Sequence, residues 1–234
     1  MKLLVSPINL SEARECVQGG ADIVDVKNPA EGSLGAGFPW VIKEIRRFLP
    51  PELPLSAALG DVSFKPGTIA LASLGLASCG VQYIKVGLHG ICTLEEGIQL
   101  MKPVVETVKS YSNKIQIVAA GYADAKRIEA IKPYLIPEVG RIADCDLIML
   151  DTAIKDGLRL FDHCKIDFLE KFVQRAHEQG QQAALAGSLR KEDLKVLAQI
   201  KTDIAGVRGA ACSNSDRNQG TIQSSLIREL RGSF

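Results

Sequence analysis

The chain has 234 residues, 46% of them hydrophobic, and its 28 basic and 27 acidic side chains leave a net charge of +1. That length holds one α/β barrel or two small domains, and the apolar fraction supports a full core. The near-neutral balance excludes a global field for nucleic acid or an anionic membrane, so any anion site has to be local.

Short β-branched runs recur along the chain, each followed by a turn and a helical pattern. The first strand is predicted at Lys2–Ser6. Asn9 and Glu12 then offer a capping box for the helix that carries Ala13 and Val17, and Gly19-Gly20 ends it. Strands follow at Asp22–Lys27, Leu55–Leu59, Gln82–Val86 and Ile115–Ala120. The apolar run from Thr68 to Cys79 is too short to span a bilayer and reads as a core-facing helix. After the fifth strand, Asp124 is a natural N-cap for a helix over 125–131, stopped by Pro133. The last strands are predicted at Leu147–Asp151, Ala183–Gly187 and Ile204–Arg208, with helical stripes at Asp167–Gln179 and Arg190–Ile200.

Eight βα units at a spacing of roughly 20 to 35 residues are the number that closes a parallel barrel. A doubly wound open sheet is the alternative, but Ser6-Pro7-Ile8-Asn9 supplies no glycine fingerprint after the first strand. No linker or composition shift divides the chain, so residues 1–234 read as one (β/α)8 TIM-barrel domain. The six cysteines stand singly and the three histidines form no zinc pattern, which suits reduced thiols in a cytoplasmic protein. Met1–Val5 lacks the apolar stretch of a signal peptide. Outer helices such as the one over Val41–Phe48 offer apolar faces that suit a homo-oligomer, though they name no interface.

Barrel active sites form at the C-terminal mouth, and strands of one parity fill each interior layer. Lys27, Lys85 and Asp151 end the second, fourth and sixth strands. Side chains two apart share a face, so Asp25 points inward with Lys27, and Lys155 follows Asp151 by four residues. One mouth should therefore collect three lysines and two aspartates. Structural ion pairs plugging the barrel are the bland reading; amine chemistry is the sharp one. An ordinary lysine, with pKa ~10.4, is almost wholly protonated at neutral pH, and bringing it to neutrality costs roughly 4 kcal/mol against the charged form. A neutral amine among cations adds to an aldehyde or ketone as a Schiff base.

Downstream of the last two strands lie Gly187-Ser188 and Arg208-Gly209-Ala210. Barrels often hold phosphate there on backbone amides, with Arg208 and Arg217 adding charge-assisted contacts. The pairing of an amine cluster with an anion site points to a phosphorylated carbonyl substrate. The glycine-rich loop Asn28–Gly37 has the length of a partial lid, or is a plain surface turn. His89 reads as a polar loop residue, and Tyr122 either faces the mouth or packs on its rim.

At these positions the chain resembles the (5-formylfuran-3-yl)methyl phosphate synthases of methanofuran biosynthesis. The matching stretches include Leu3-Leu-Val-Ser-Pro7, Gly20-Ala-Asp-Ile-Val-Asp-Val-Lys-Asn-Pro29, Glu31-Gly-Ser-Leu-Gly-Ala36 and Tyr83-Ile-Lys-Val-Gly-Leu88. Met149-Leu-Asp-Thr-Ala-Ile-Lys-Asp-Gly157, Leu160-Phe-Asp-His163 and Val207-Arg-Gly-Ala210 complete them, so the resemblance covers nearly the whole chain. It implies a TIM barrel that condenses two glyceraldehyde 3-phosphate molecules into a furan aldehyde phosphate. The family's Schiff-base lysine falls on Lys27, its other catalytic lysines on Lys85 and Lys155, and its carboxylates on Asp25 and Asp151. An imine is its own electron sink, so no metal or organic cofactor is expected. A class I aldolase acting on phosphorylated sugars is the alternative, since it needs the same lysine.

Overall fold

Alternate residues of a strand go to opposite faces, and in this chain the two faces differ in kind. In the computed structural model, which describes residues 1–234, the strands are β1 (Lys2–Val5), β2 (Ile23–Val26), β3 (Leu55–Ala58), β4 (Tyr83–Gly87), β5 (Gln116–Tyr122), β6 (Leu147–Asp151), β7 (Gln182–Leu185) and β8 (Ile204–Val207). They pair in parallel in sequence order, and β1 pairs with β8 to close the barrel. The expected (β/α)8 TIM barrel is the fold, and no helix is long and apolar enough to cross a membrane.

Outward residues such as Leu3, Val5, Val24, Val26, Ile84, Val86, Ile148 and Leu150 meet the surrounding helices in one large apolar cluster. The inward set is smaller: Leu4, Ile23, Tyr83, Val118, Leu147, Met149 and Ile204 fill the barrel floor and middle. Most apolar burial therefore lies outside the sheet, where each buried large side chain is worth about 1.5–3 kcal/mol. That leaves the upper layer free for polar residues at Asp25, Ser56, Lys85 and Asp151, all buried.

The helices are α1 (Leu10–Gly19), α2 (Pro39–Phe48), α3 (Pro66–Ala77), α4 (Leu94–Tyr111), α5 (Ile136–Ala143), α6 (Leu160–His163), α7 (Ile166–Glu178), α8 (Lys191–Gln199) and α9 (Ser224–Arg231). Half of the expected capping box of α1 forms: the Asn9 side chain accepts from the Glu12 N–H, but the Glu12 carboxylate accepts from the Ile8 N–H and from Arg208 instead of the Asn9 N–H. Gly20 closes the helix in the left-handed region at φ 80°. The helix expected over 125–131 does not form. Only the short 3-10 turn Ala125–Arg127 is present, because the Asp124 carboxylate accepts the N–H groups of Ala153 and Ile154 at 2.7 and 2.8 Å. Spent on the loop after β6, it cannot cap its own segment, and the helix starts instead at α5. α3 faces the core through Ile69 and Leu76, but its outer side leaves Leu71 and Leu74 exposed.

Candidate active site

Lys27 lies one residue beyond β2, Lys85 near the end of β4 and Asp151 at the end of β6, so period-two alternation turns all three into the mouth. Asp25 is wholly buried. Its Oδ2 accepts from Lys85 Nζ at 2.5 Å and from Ser6 Oγ at 2.9 Å, while its Oδ1 has no partner. Asp151 forms the second centre. Its Oδ1 accepts from Lys155 Nζ at 2.7 Å and from the Thr152 N–H at 2.7 Å, and Lys155 also donates to Thr152 Oγ1 at 2.9 Å.

Lys27 differs from its two neighbours. Its nearest carboxylate oxygen is Asp151 Oδ2 at 3.9 Å, beyond hydrogen-bond reach, and that oxygen has no other partner. Burial pushes the Lys27 amine down to about 7; Asp151 pulls it up, and the charges of Lys85 and Lys155 push it down again. Roughly half of it is then neutral near neutral pH. For Asp151, burial alone would raise the pKa, but the charges of Lys155 and Lys27 and the bonds from Lys155 and Thr152 hold it well below the usual carboxylate range. The outcome is an amine with a substantial uncharged fraction beside a fixed negative charge, which favours an iminium over a neutral imine.

A cavity of about 740 Å³ opens over the β6–β8 side of the mouth. Lys27, Asp151 and Lys155 line it, with Gly187, Ser188, Arg208, Gly209, Ala210 and Arg217. Gly187 takes φ 119° and Ser188 φ 50°, so the turn after β7 sits in the left-handed region where it lines the cavity. The structure brings the five catalytic candidates into one mouth, yet Lys85 and Asp25 do not line this cavity.

The two arginines named as anion contacts are placed differently. Arg208 is buried, and its guanidinium donates to both Glu12 carboxylate oxygens at 2.7 and 3.2 Å, to the Ser6 carbonyl at 2.8 Å and to the Arg217 carbonyl at 2.7 Å. Arg208 lines the cavity, but little of its donor capacity remains for a ligand, and its bonds to Glu12 tie β8 to α1. Arg217 carries the signal. Its Nε and one terminal nitrogen are buried without a partner beside the cavity, an arrangement that awaits an acceptor.

The loop Asn28–Gly37 crosses the mouth. Asn28 N–H bonds the Gly35 carbonyl at 2.8 Å, Leu34 is fully buried in the interior cluster, and Ser33 Oγ donates to the Thr152 carbonyl at 2.7 Å. Tyr122 faces the interior and is fully buried, with His89 edge-on to its ring at 6.0 Å. Sequence reasoning left out Asp61, Thr152, Ser6 and Ser33. Asp61, Ser6 and Ser33 make their contacts with residues distant in the chain, for which periodicity carries no signal, whereas Thr152 bonds its near neighbours Asp151 and Lys155.

Comparison with known proteins places this geometry in context. A model of the 4-HFC-P synthase family matches residues 3–231. The (5-formylfuran-3-yl)methyl phosphate synthase of Methanococcus maripaludis strain C7 is 55% identical over 231 residues, 98% of each chain. The protein of that name from Methanocaldococcus jannaschii is 54% identical over 99% of this chain and 98% of its own, and that from Methanopyrus kandleri 52% identical over 98% and 97%. Among solved structures, phosphoribosyl anthranilate isomerase from Thermus thermophilus superposes with a TM-score of 0.66 at 13% identity, covering 100% of this chain and 98% of that one. A 3-hexulose-6-phosphate synthase gives 0.66 at 13% identity, covering 100% of both chains. At that identity the structural neighbours bear on the fold alone.

Proposed function

This chain belongs to the 4-HFC-P synthase family and is an enzyme, and from that premise we propose that it condenses two molecules of glyceraldehyde 3-phosphate into (5-formylfuran-3-yl)methyl phosphate through an imine at Lys27. The place of the reaction is methanofuran biosynthesis in the cytoplasm. Two triose phosphates become the furan by loss of one phosphate and two waters, so no oxidant or reductant is required.

Lys27 adds to the aldehyde of the first triose phosphate and loses water to give the iminium, which the Asp151 charge stabilises. The iminium acidifies the adjacent carbon. The Lys85–Asp25 pair takes that proton, and the resulting enamine attacks the aldehyde carbon of the second molecule. Elimination of one phosphate, ring closure and dehydration follow, with aromaticity as the driving force. Lys155 and Arg217 hold phosphate in the open cavity, backed by the turns at Gly187-Ser188 and Gly209-Ala210.

The single observation that carries this reading is the state of Lys27: buried, without a hydrogen bond, its amine pushed down to about 7. Borohydride reduction of the enzyme with glyceraldehyde 3-phosphate, followed by peptide mass spectrometry, is the test. Mass added at Lys27, with an ultraviolet-absorbing furan in the unreduced reaction, supports it; mass added elsewhere overturns the assignment. A trapped imine without a furan product favours the reversible aldolase instead.

A further inference from the structure

Three segments remote in sequence meet over the β3–β5 side of the mouth, in a contact that the chemistry above does not use. Tyr122, at the end of β5, donates its hydroxyl to Asp61 Oδ1. Asp61 follows β3, and its other oxygen accepts the backbone N–H of Leu34 at 3.1 Å. Leu34 belongs to the Asn28–Gly37 strap and is fully buried in the interior cluster, close over Gly87 of β4. One carboxylate thus ties the barrel wall to the strap, and burial together with the Asp61 charge keeps the Tyr122 phenol protonated as the donor.

Two glycines clear the space for this link. A Cβ on Gly87 would meet the Tyr122 hydroxyl at 2.6 Å and Asp61 Oδ1 at 2.9 Å. A Cβ on Gly32 would collide with Asp61 Oδ2, and its φ of 126° is closed to other residues in any case. At its far edge the strap is held by Ser33 on the Thr152 carbonyl, and Thr152 itself binds Lys155 and Asp151. The strap is therefore pinned to both halves of the mouth, immediately after Lys27.

We propose that Asp61 and Tyr122 are positioning residues that latch the 28–37 strap across the mouth, and that the latched strap keeps the enamine of the first triose phosphate committed to condensation. The chemistry gives the strap a task. An enamine of glyceraldehyde 3-phosphate carries its phosphate one carbon away. If that C–O bond breaks before a second aldehyde is attacked, the electron pair leaves with inorganic phosphate. Water then releases the remaining three carbons from Lys27 as methylglyoxal. Triose phosphate becomes methylglyoxal and phosphate in balance, with no other reactant. A sealed, oriented site suppresses this leak by excluding water and holding the leaving group out of line.

This inference rests on the function proposed above. In coupled turnover one phosphate is released per furan, so phosphate and methylglyoxal in excess of furan measure the leak directly. Asp61→Ala removes both acceptors, so it holds neither Tyr122 nor Leu34. It is expected to raise the phosphate-to-furan ratio at least about fivefold, with Tyr122→Phe raising it less and Ser33→Ala least. A ratio that stays at one in all three variants, with circular dichroism showing each folded, overturns the latch. The second arm needs no activity: glutamyl endopeptidase should cleave after Glu31 at least about fivefold faster in Asp61→Ala than in the unaltered protein. Equal cleavage also overturns the latch. If the unaltered enzyme makes no furan at all, the functional reading fails, and the proteolysis arm still decides whether Asp61 holds the strap.

Discussion

On the β6–β8 side of the mouth, Lys155 and Asp151 face an open cavity together with Lys27, whereas on the β2–β5 side Lys85 and Asp25 are buried and do not line it. Both halves pair a lysine with an aspartate at short range, 2.5 Å for Lys85–Asp25 and 2.7 Å for Lys155–Asp151. What separates them is access and the third amine: Lys27 is near enough to Asp151 to feel its charge but too far to bond it. A barrel mouth thus keeps one amine reactive by giving the other two their own carboxylates. A third carboxylate within bonding reach of Lys27 would return it to the ammonium form.

The largest expected effect tests that distinction. Lys27→Met should lower kcat/KM by about 10³-fold or more and abolish borohydride trapping, because Lys85 and Lys155 are each bonded to a carboxylate. If Lys155→Met removed trapping while Lys27→Met retained it, the roles of the two halves would be reversed.

Stability separates the halves next. Lys85→Met leaves Asp25 buried without its cation, and breaking a buried pair costs about 3–5 kcal/mol. Lys155 is partly exposed, and Asp151 keeps the Thr152 N–H and the Lys27 charge after its removal, so Lys155→Met should cost about 1 kcal/mol. Urea denaturation of the two variants measures the contrast; equal losses would mean that burial does not set Lys85 apart.

The two arginines sharpen the same comparison on the phosphate side. Arg208→Ala strands the buried Glu12 and should destabilise the fold by about 3 kcal/mol. Arg217→Ala removes unpartnered donors from the cavity, so it should raise KM roughly tenfold while the unfolding midpoint moves little.

These contrasts also mark where sequence reasoning ran out. Strand ends and parity were legible in Asp25, Lys27, Lys85 and Asp151, because alternation on a strand dictates which side chains enter a barrel. The segment at Asp124 misled for a tertiary reason: its carboxylate serves Ala153 and Ile154, so a good N-cap residue precedes no helix. Pro133, read as a stop, begins a 3-10 turn that leads into α5, and Pro103 sits inside the long α4, where helix packing outweighs its lost donor. Arg208 looked like a ligand contact because Glu12 lies at the opposite end of the chain, and closure of β8 onto β1 is what brings them together. Asp61 was invisible for the same reason, since nothing local distinguishes a carboxylate that holds a strap from one that faces water.

The smallest expected effect is a pair of opposite shifts in pH dependence. The Lys27 amine is pushed down to about 7 by burial, so kcat/KM for imine formation should rise as pH climbs through about 7 and level off above it. Asp151 opposes the depression and Lys155 adds to it. In Lys155→Met the loss of a neighbouring cation stabilises the ammonium form, and the acidic limb moves to higher pH. In Asp151→Asn the loss of the anion destabilises the ammonium form, and the limb moves to lower pH, even though the iminium is then less well supported and the plateau falls. Each displacement should change the rate at pH 7 by less than about tenfold through titration alone. Both limbs moving in one direction would show that the amine being titrated is not the one that stands between these two charges.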